Sequence, residues 1–255
     1  MQLLLLTLCG LLIGFIMISL GMGAALYIGC FITLFHLSDK TAAASALITT
    51  LPALLIGTFF YQRKKLVDFH QGNKLLIWTL GGTILGSIIV PFINQRYYQI
   101  IISIILIVLS LTILYKAWIA PHLPTKARQK DQRLDQATAS FAGVISGIMT
   151  GLAGMSGGGP LVAGMLLLDA PVAVAAATSS YIRIWTAAAG IALHWNTMHI
   201  AWQPVIFMTL GTIIGAAIAP FVMEHFGKSQ KSTFTHIMKP LIALILFYMG
   251  IKPFL

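Results

Sequence analysis

Residues 151–160 read GLAGMSGGGP, five glycines (Gly151, Gly154, Gly157, Gly158, Gly159) and a closing proline inside a segment that is otherwise apolar. Gly158-Gly159-Pro160 does not continue a helix comfortably, since glycine costs about 1 kcal/mol per residue against alanine and proline about 3. A hydrocarbon core offers no water to broken backbone. An unwound turn at that depth persists only where it is packed in protein or lines a cavity. The stretch is therefore a structural hinge or a binding site.

The surrounding chain is 255 residues long, 58% hydrophobic and 9% charged, whereas soluble domains carry about 25% charged residues. Several apolar runs reach the 18 or so residues that cross a bilayer. This is the composition of a polytopic membrane protein without a separate soluble domain. The opening MQLLLLTLCG has no basic flank and no small-residue cleavage site, so no signal peptide is expected. Cys9 and Cys30, the two cysteines, read as small core residues rather than a redox pair. The net charge of +10 sits in membrane loops. Topology accounts for it better than a nucleic-acid partner does.

Outward from the glycine run, the second half reads as 139–168 (broken), 172–193, 204–222 and 235–253. The first half reads as 3–35, interrupted at Gly21-Met22-Gly23, then 41–60, 75–93 and 97–118. Between them, 119–138 holds Pro121, Pro124 and the mixed-charge run KARQKDQRLD, a cytoplasmic linker separating membrane repeats 1–118 and 139–255. A shift of 133 carries Gly10 to Gly143, Gly14 to Gly147, Gly21 to Gly154 and Ala42-Ala43-Ala44-Ser45 to Ala175-Ala176-Ala177-Thr178. A shift of 129 then carries Gly82 to Gly211, Gly86 to Gly215 and Pro91-Phe92 to Pro220-Phe221. The expected fold is all-α, two homologous halves, each one glycine-broken helix followed by three transmembrane helices.

Broken helices that cross once would make the halves parallel; re-entrant hairpins would make them inverted. In the inverted arrangement every Lys and Arg falls on one face except Lys40, Arg96 and Lys252 opposite and Arg183 within the membrane. The positive-inside rule favours that arrangement. Against it, residues 3–20 would make a helix of roughly 27 Å, nearly a full span. With inversion the two glycine tips meet near the midplane, as broken helices do in many secondary transporters.

The glycine pattern of Gly143–Leu161, the duplicated layout and the small-residue stretch AAATSS at 175–180 together resemble the sulfite exporter TauE/SafE (TSUP) family of membrane permeases. The resemblance covers the full length. It implies an inner-membrane permease for small sulfur-containing anions such as sulfite, sulfoacetate or thiosulfate. The first half departs from the family's pattern, with Gly21-Met22-Gly23-Ala24-Ala25 where relatives carry a second triple-glycine turn.

Glycine-rich backbone at a helix N-terminus is an anion cradle: its N–H groups point outward, the helix dipole adds positive charge, and no Cβ keeps the ligand away. Ser156, Gly157, Gly158 and Gly159 are the candidates here, with Gly21 and Gly23 from the first break. Gly143, Gly147 and Gly151, spaced by four, read instead as close helix packing. Arg183 is the one charge deep inside a span, a position so costly that it points to function. Its planar fork suits an oxyanion, and its equivalent 133 residues earlier is Thr50. Ser45, Thr49, Thr178, Ser179 and Ser180 offer neutral hydroxyls, although such groups commonly bond their own helix. Tyr181 and Trp185 read as packing aromatics before pathway residues.

No Asp or Glu falls mid-membrane, which argues against carboxylate-relayed proton coupling. His194 and His199 lack ligand spacing, and neither a metal nor another cofactor is expected. The partners expected are a small sulfur anion and the lipid bilayer, with small-residue faces that permit a homodimer. The function read here is export by alternating access. A permease for another solute, an importer, a membrane enzyme or thiol relay, and a non-transporting scaffold are the rivals.

Overall fold

A computed structural model of the chain describes residues 2–21, 24–89, 132–151 and 157–227, with scattered helical positions between 100 and 114 and between 240 and 251. The helices are α1 (Gln2–Leu20), α2 (Ala24–Phe35), α3 (Asp39–Arg63), α4 (Phe69–Ile89), α5 (Gln132–Gly151), α6 (Gly158–Leu167), α7 (Val172–His194) and α8 (Trp202–Gly227). A single 3-10 turn, Trp195–Thr197, follows α7. Helix α5 begins inside the stretch read as a linker, and residues 119–131 lie outside those described. So do most of the spans read at 97–118 and 235–253. The chain is an all-α polytopic membrane protein. Among the described residues Thr41–Arg63 and Trp202–His225 are long and apolar enough to cross a bilayer.

Two tight crossings organise the helices, and glycine makes both. Gly10 and Gly14 lie against the backbone of Met208 and Thr212, while Gly211 and Gly215 lie against that of Thr7, Leu11 and Phe15. Rising numbers meet rising numbers, so α1 and α8 run parallel. Likewise Gly82 and Gly86 face Val144 and Ile148, and Gly147 and Gly151 face Thr79, Thr83 and Ser87, making α4 and α5 parallel. Between membrane helices the driving force is close packing rather than water exclusion, which is why small residues hold these seams.

Contacts elsewhere fix the remaining directions. Ser45 meets Ala201, Phe60 meets Phe221 and Lys64 pairs with Glu224, so α3 runs with α8. Helix α7 opposes α3, because Gly190 lies by Leu47 while Thr178 lies by Asp68, just beyond the end of α3. The last turn of α1 is held near the far end of α3, where Tyr61 Oη donates to Ile18 O at 2.9 Å. Helix α2 must therefore double back to reach the start of α3. Helix α6 doubles back on α5 in the same way, with Gly157 beside Ser146 and Gly164 beside Ala142 and Ala139.

Each hairpin joins its next helix through a compact turn. Asp169 takes a left-handed φ of 59°, and the Asp169 and Ala170 amides close the end of α6 on Leu166 O and Met165 O, both at 3.1 Å. His36 takes a φ of 51° at the corresponding place after α2. Ser38 then caps α3, its Oγ accepting from Thr41 N at 3.4 Å. The apolar outer faces, among them Leu55, Ile77, Ile88, Ile206 and Ile214, are exposed. In a membrane protein those faces meet lipid tails.

Candidate functional site

The two breaks meet. Gly21 has a φ of +71°, a left-handed conformation that glycine adopts without steric cost. A Cβ on Gly158 would collide with Gly21 O and lie 3.1 Å from Arg183 Nη1. A Cβ on Gly21 would collide with Val162 and reach Ser179 Oγ at 3.0 Å. A Cβ on Gly157 would collide with Ser146. Gly157 and Gly158 are thus required by close backbone-to-backbone approach, and Gly21 by its left-handed φ and the Val162 side chain against it.

Arg183 projects from the middle of α7 into this junction. It is 3% exposed, and its Nη1 donates to Gly21 O at 3.2 Å. Its Nη2 has no hydrogen-bond partner among the described residues. A buried, unsatisfied donor costs about 1–3 kcal/mol, and more where it is charged. A further buried polar atom stands unpaired beside the junction, Ser146 Oγ. Tyr27 is fully buried, its hydroxyl beside Thr212 and within electrostatic reach of Arg183. The junction therefore presents one cation with a free donor and two hydroxyls, all withdrawn from solvent. It can stabilise a compact anion through charge-assisted hydrogen bonds, which are about twice as strong as neutral ones.

Of the residues singled out in the sequence, Gly21, Gly157, Gly158, Gly159, Ser179 and Arg183 come together here, all of them buried. Ser156 and Gly23 lie outside the described residues. Ser179 Oγ donates to Ala176 O at 2.9 Å, and Ser180 Oγ donates to the same carbonyl at 2.8 Å. Thr49 Oγ1 bonds Ser45 O at 2.9 Å. Ser45 and Thr178 act differently. Ser45 Oγ accepts from Ala201 N at 3.2 Å, and Thr178 Oγ1 accepts from Asp68 N at 3.0 Å. Each hydroxyl satisfies a backbone amide at the entrance to a helix more than a hundred residues away in the chain. Tyr181 packs edge-on against Phe69 and donates to Asn73, while Trp185 is exposed on the outer surface.

Thr178→Val is accordingly expected to lower stability by about 1 kcal/mol, the net worth of one buried hydrogen bond, with anion affinity unchanged. Thermal unfolding and anion titration of the same preparation check this. A tenfold loss of affinity at unchanged stability would return Thr178 to the binding residues. Tyr27 and Ser146 were not singled out by sequence. Tyr27 lies six residues past Gly21 and Ser146 five before Gly151, in helices where neither residue type is unusual.

Comparison with known proteins places the chain in context. The family described as Sulfite exporter TauE/SafE matches residues 6–252. A Bacillus subtilis (strain 168) protein with the name "Probable membrane transporter protein YunE" is 25% identical over 229 residues, covering 84% of this chain and 83% of that protein. No solved structure matches.

Proposed function

Since the chain belongs to the sulfite exporter TauE/SafE family of membrane transporters, and is a transporter rather than an enzyme, we propose that it exports a small sulfur oxyanion across the inner membrane. The observation that carries this reading is Arg183 Nη2, a buried guanidinium donor without a partner among the described residues, held where two broken helices meet. Sulfite, thiosulfate and the sulfonate end of sulfoacetate all offer oxygens on a compact, charged sulfur centre. Arg183 would take one oxygen, and the Tyr27 and Ser146 hydroxyls others. No buried carboxylate faces the site among the described residues, so nothing there repels the anion. Leaving a cell that is negative inside yields about 2.3 kcal/mol per charge per 100 mV.

The cycle we propose is alternating access between two inverted halves, 1–118 and 139–255, each led by a re-entrant hairpin. Paired contacts support the duplication. The Ser45–Ala201 and Thr178–Asp68 bonds are the same bond twice under a shift of 133. Tyr61 and His194, also 133 apart, each bond a carbonyl in the last turn of the helix ahead of a break. Opposed helix directions support inversion: α1, α3 and α8 run against α4, α5 and α7. Ahead of the breaks the crossings favour a shift of 137, pairing Gly10 with Gly147 and Gly14 with Gly151, because both members of each pair meet equivalent backbone. Gly21 then pairs with Gly158, and those two touch. In a two-fold arrangement, counterparts that touch lie on the axis, which suits a single central substrate site.

The test is titration of the purified protein with sulfite, thiosulfate, sulfoacetate, sulfate and chloride, followed by flux in proteoliposomes. Selective stabilisation by one sulfur anion is expected, approaching about 2.7 kcal/mol at a hundred times its Kd, with outward flux of that anion. Stabilisation by another solute, or inward flux only, would replace the substrate or the direction. Indifference to every solute with no flux would overturn the reading.

A further inference from the structure

At their C-terminal ends α3 and α8 lie side by side around an open cavity of about 450 Å³ lined by Phe60, Arg63, Lys64, Lys65, Phe221 and Glu224. Lys64 pairs with Glu224 and lies 4.0 Å from the centroid of the Phe221 ring. Arg63 lies 4.5 Å over the Phe59 ring. Arg63 and Lys65 are exposed and have no acidic partner among the described residues. Such residues commonly serve a helix C-terminus by bonding its last carbonyls. Here backbone does part of that: Lys65 N bonds Gln62 O at 2.9 Å and Leu66 N bonds Tyr61 O at 3.1 Å. Arg63 and Lys65 are left as uncompensated charge at the mouth of the cavity.

Directly along the same two helices run exposed apolar side chains, Leu55 and Phe59 on α3 and Ile214, Ile218 and Phe221 on α8. These helices are the two long and apolar enough to cross a bilayer among the described residues, so this strip faces acyl chains and the cavity sits at its polar end. Clustered Arg and Lys at a span end mark the cytoplasmic face, whose leaflet carries the anionic lipids.

We infer that this cavity binds the headgroup of an anionic phospholipid, its phosphate between Arg63 and Lys65 and its chains along the α3–α8 strip. A zwitterionic headgroup fits less well, because its ammonium would enter a cationic cavity whose one carboxylate is already engaged by Lys64. The inference is independent of the transported solute.

Native mass spectrometry of the full chain in neutral detergent, with equimolar phosphatidylglycerol and phosphatidylcholine of matched chains, tests it. Wild type is expected to retain phosphatidylglycerol preferentially. Arg63→Gln/Lys65→Gln is expected to reduce that retention about thirtyfold, from the usual worth of two basic residues near an anionic surface. Lys74→Gln, which removes an exposed cation from α4, is expected to change nothing, and a tenfold excess of inorganic phosphate is not expected to displace the lipid. Equal retention of both lipids, an equal loss in Lys74→Gln, or displacement by inorganic phosphate would each overturn the lipid site, the last in favour of a free anion.

Discussion

Arg183→Ala is expected to weaken anion binding about ten- to a hundredfold and to cut flux in proportion, while the protein stays folded. The magnitude follows from the roughly 1.5–3 kcal/mol carried by a hydrogen bond to a charged group, applied to the one guanidinium buried at the junction. Stability is expected to change little, because two effects oppose one another. Removing an uncompensated buried cation relieves a desolvation penalty, while Gly21 O loses its 3.2 Å donor. Arg183→Lys keeps the charge but loses the planar fork, so partial rescue of affinity is expected. Anion titration, flux and thermal unfolding of the ligand-free variants separate the possibilities. Wild-type affinity in Arg183→Ala would remove this residue from the site. A flux loss that merely tracks lost folded protein would make its role structural.

Much of this was legible in the residues, for reasons that also explain what was not. Both breaks could be read because glycine and proline carry large, local helix penalties, and Arg183 because a mid-membrane charge has few explanations. The glycine faces announced close crossings, but not that α1 lies on α8 and α5 on α4; a small residue says how near a partner comes, never which partner. The register slipped for a related reason. Glycines recur every four residues ahead of each break, so a one-turn slide matches almost as many of them, and 133 competes with 137. Backbone contacts distinguish the two where identity matching does not. Ser45 and Thr178 were legible as counterparts, but what they do depends on amides more than a hundred residues away. Tyr27 and Ser146 carried no sequence signal at all; what marks Ser146 is the absence of a partner, among the described residues, in a buried place, and what marks Tyr27 is a buried hydroxyl near Arg183.

The proposed duplication also sharpens what the lone cation does. Under the shift of 133 the counterpart of Arg183 is Thr50, whose hydroxyl bonds Ala46 O at 2.6 Å in its own helix. One half therefore supplies a cation and the other does not. A near-axial site with two guanidiniums would carry unrelieved repulsion when empty. With one, the empty site keeps a single uncompensated charge, partly met by the carbonyl of the opposite tip. Substrate oxygens then compete with Gly21 O for Arg183, which couples binding to the contact between the tips.

That contact sets the last expectation: Gly158→Ala should be strongly damaging to both stability and anion affinity. Its Cβ would collide with Gly21 O, a backbone atom that no rotamer change can move, and approach Arg183 Nη1 to 3.1 Å. Overpacking a core ordinarily costs about 1–3 kcal/mol, and the upper end is expected here because both partners are backbone. The tips must separate or one hairpin must shift, and either displaces Gly21 O from Arg183. Thermal unfolding should show the destabilisation, and titration of the surviving folded fraction should show anion affinity lowered as well. Gly81→Ala is the matched control, a helical glycine whose Cβ would meet nothing within 4 Å; it should be neutral or slightly stabilising, since alanine is the better helix former. Equal behaviour of the two variants would mean that the tips do not touch, and the axial site would lose its geometric basis.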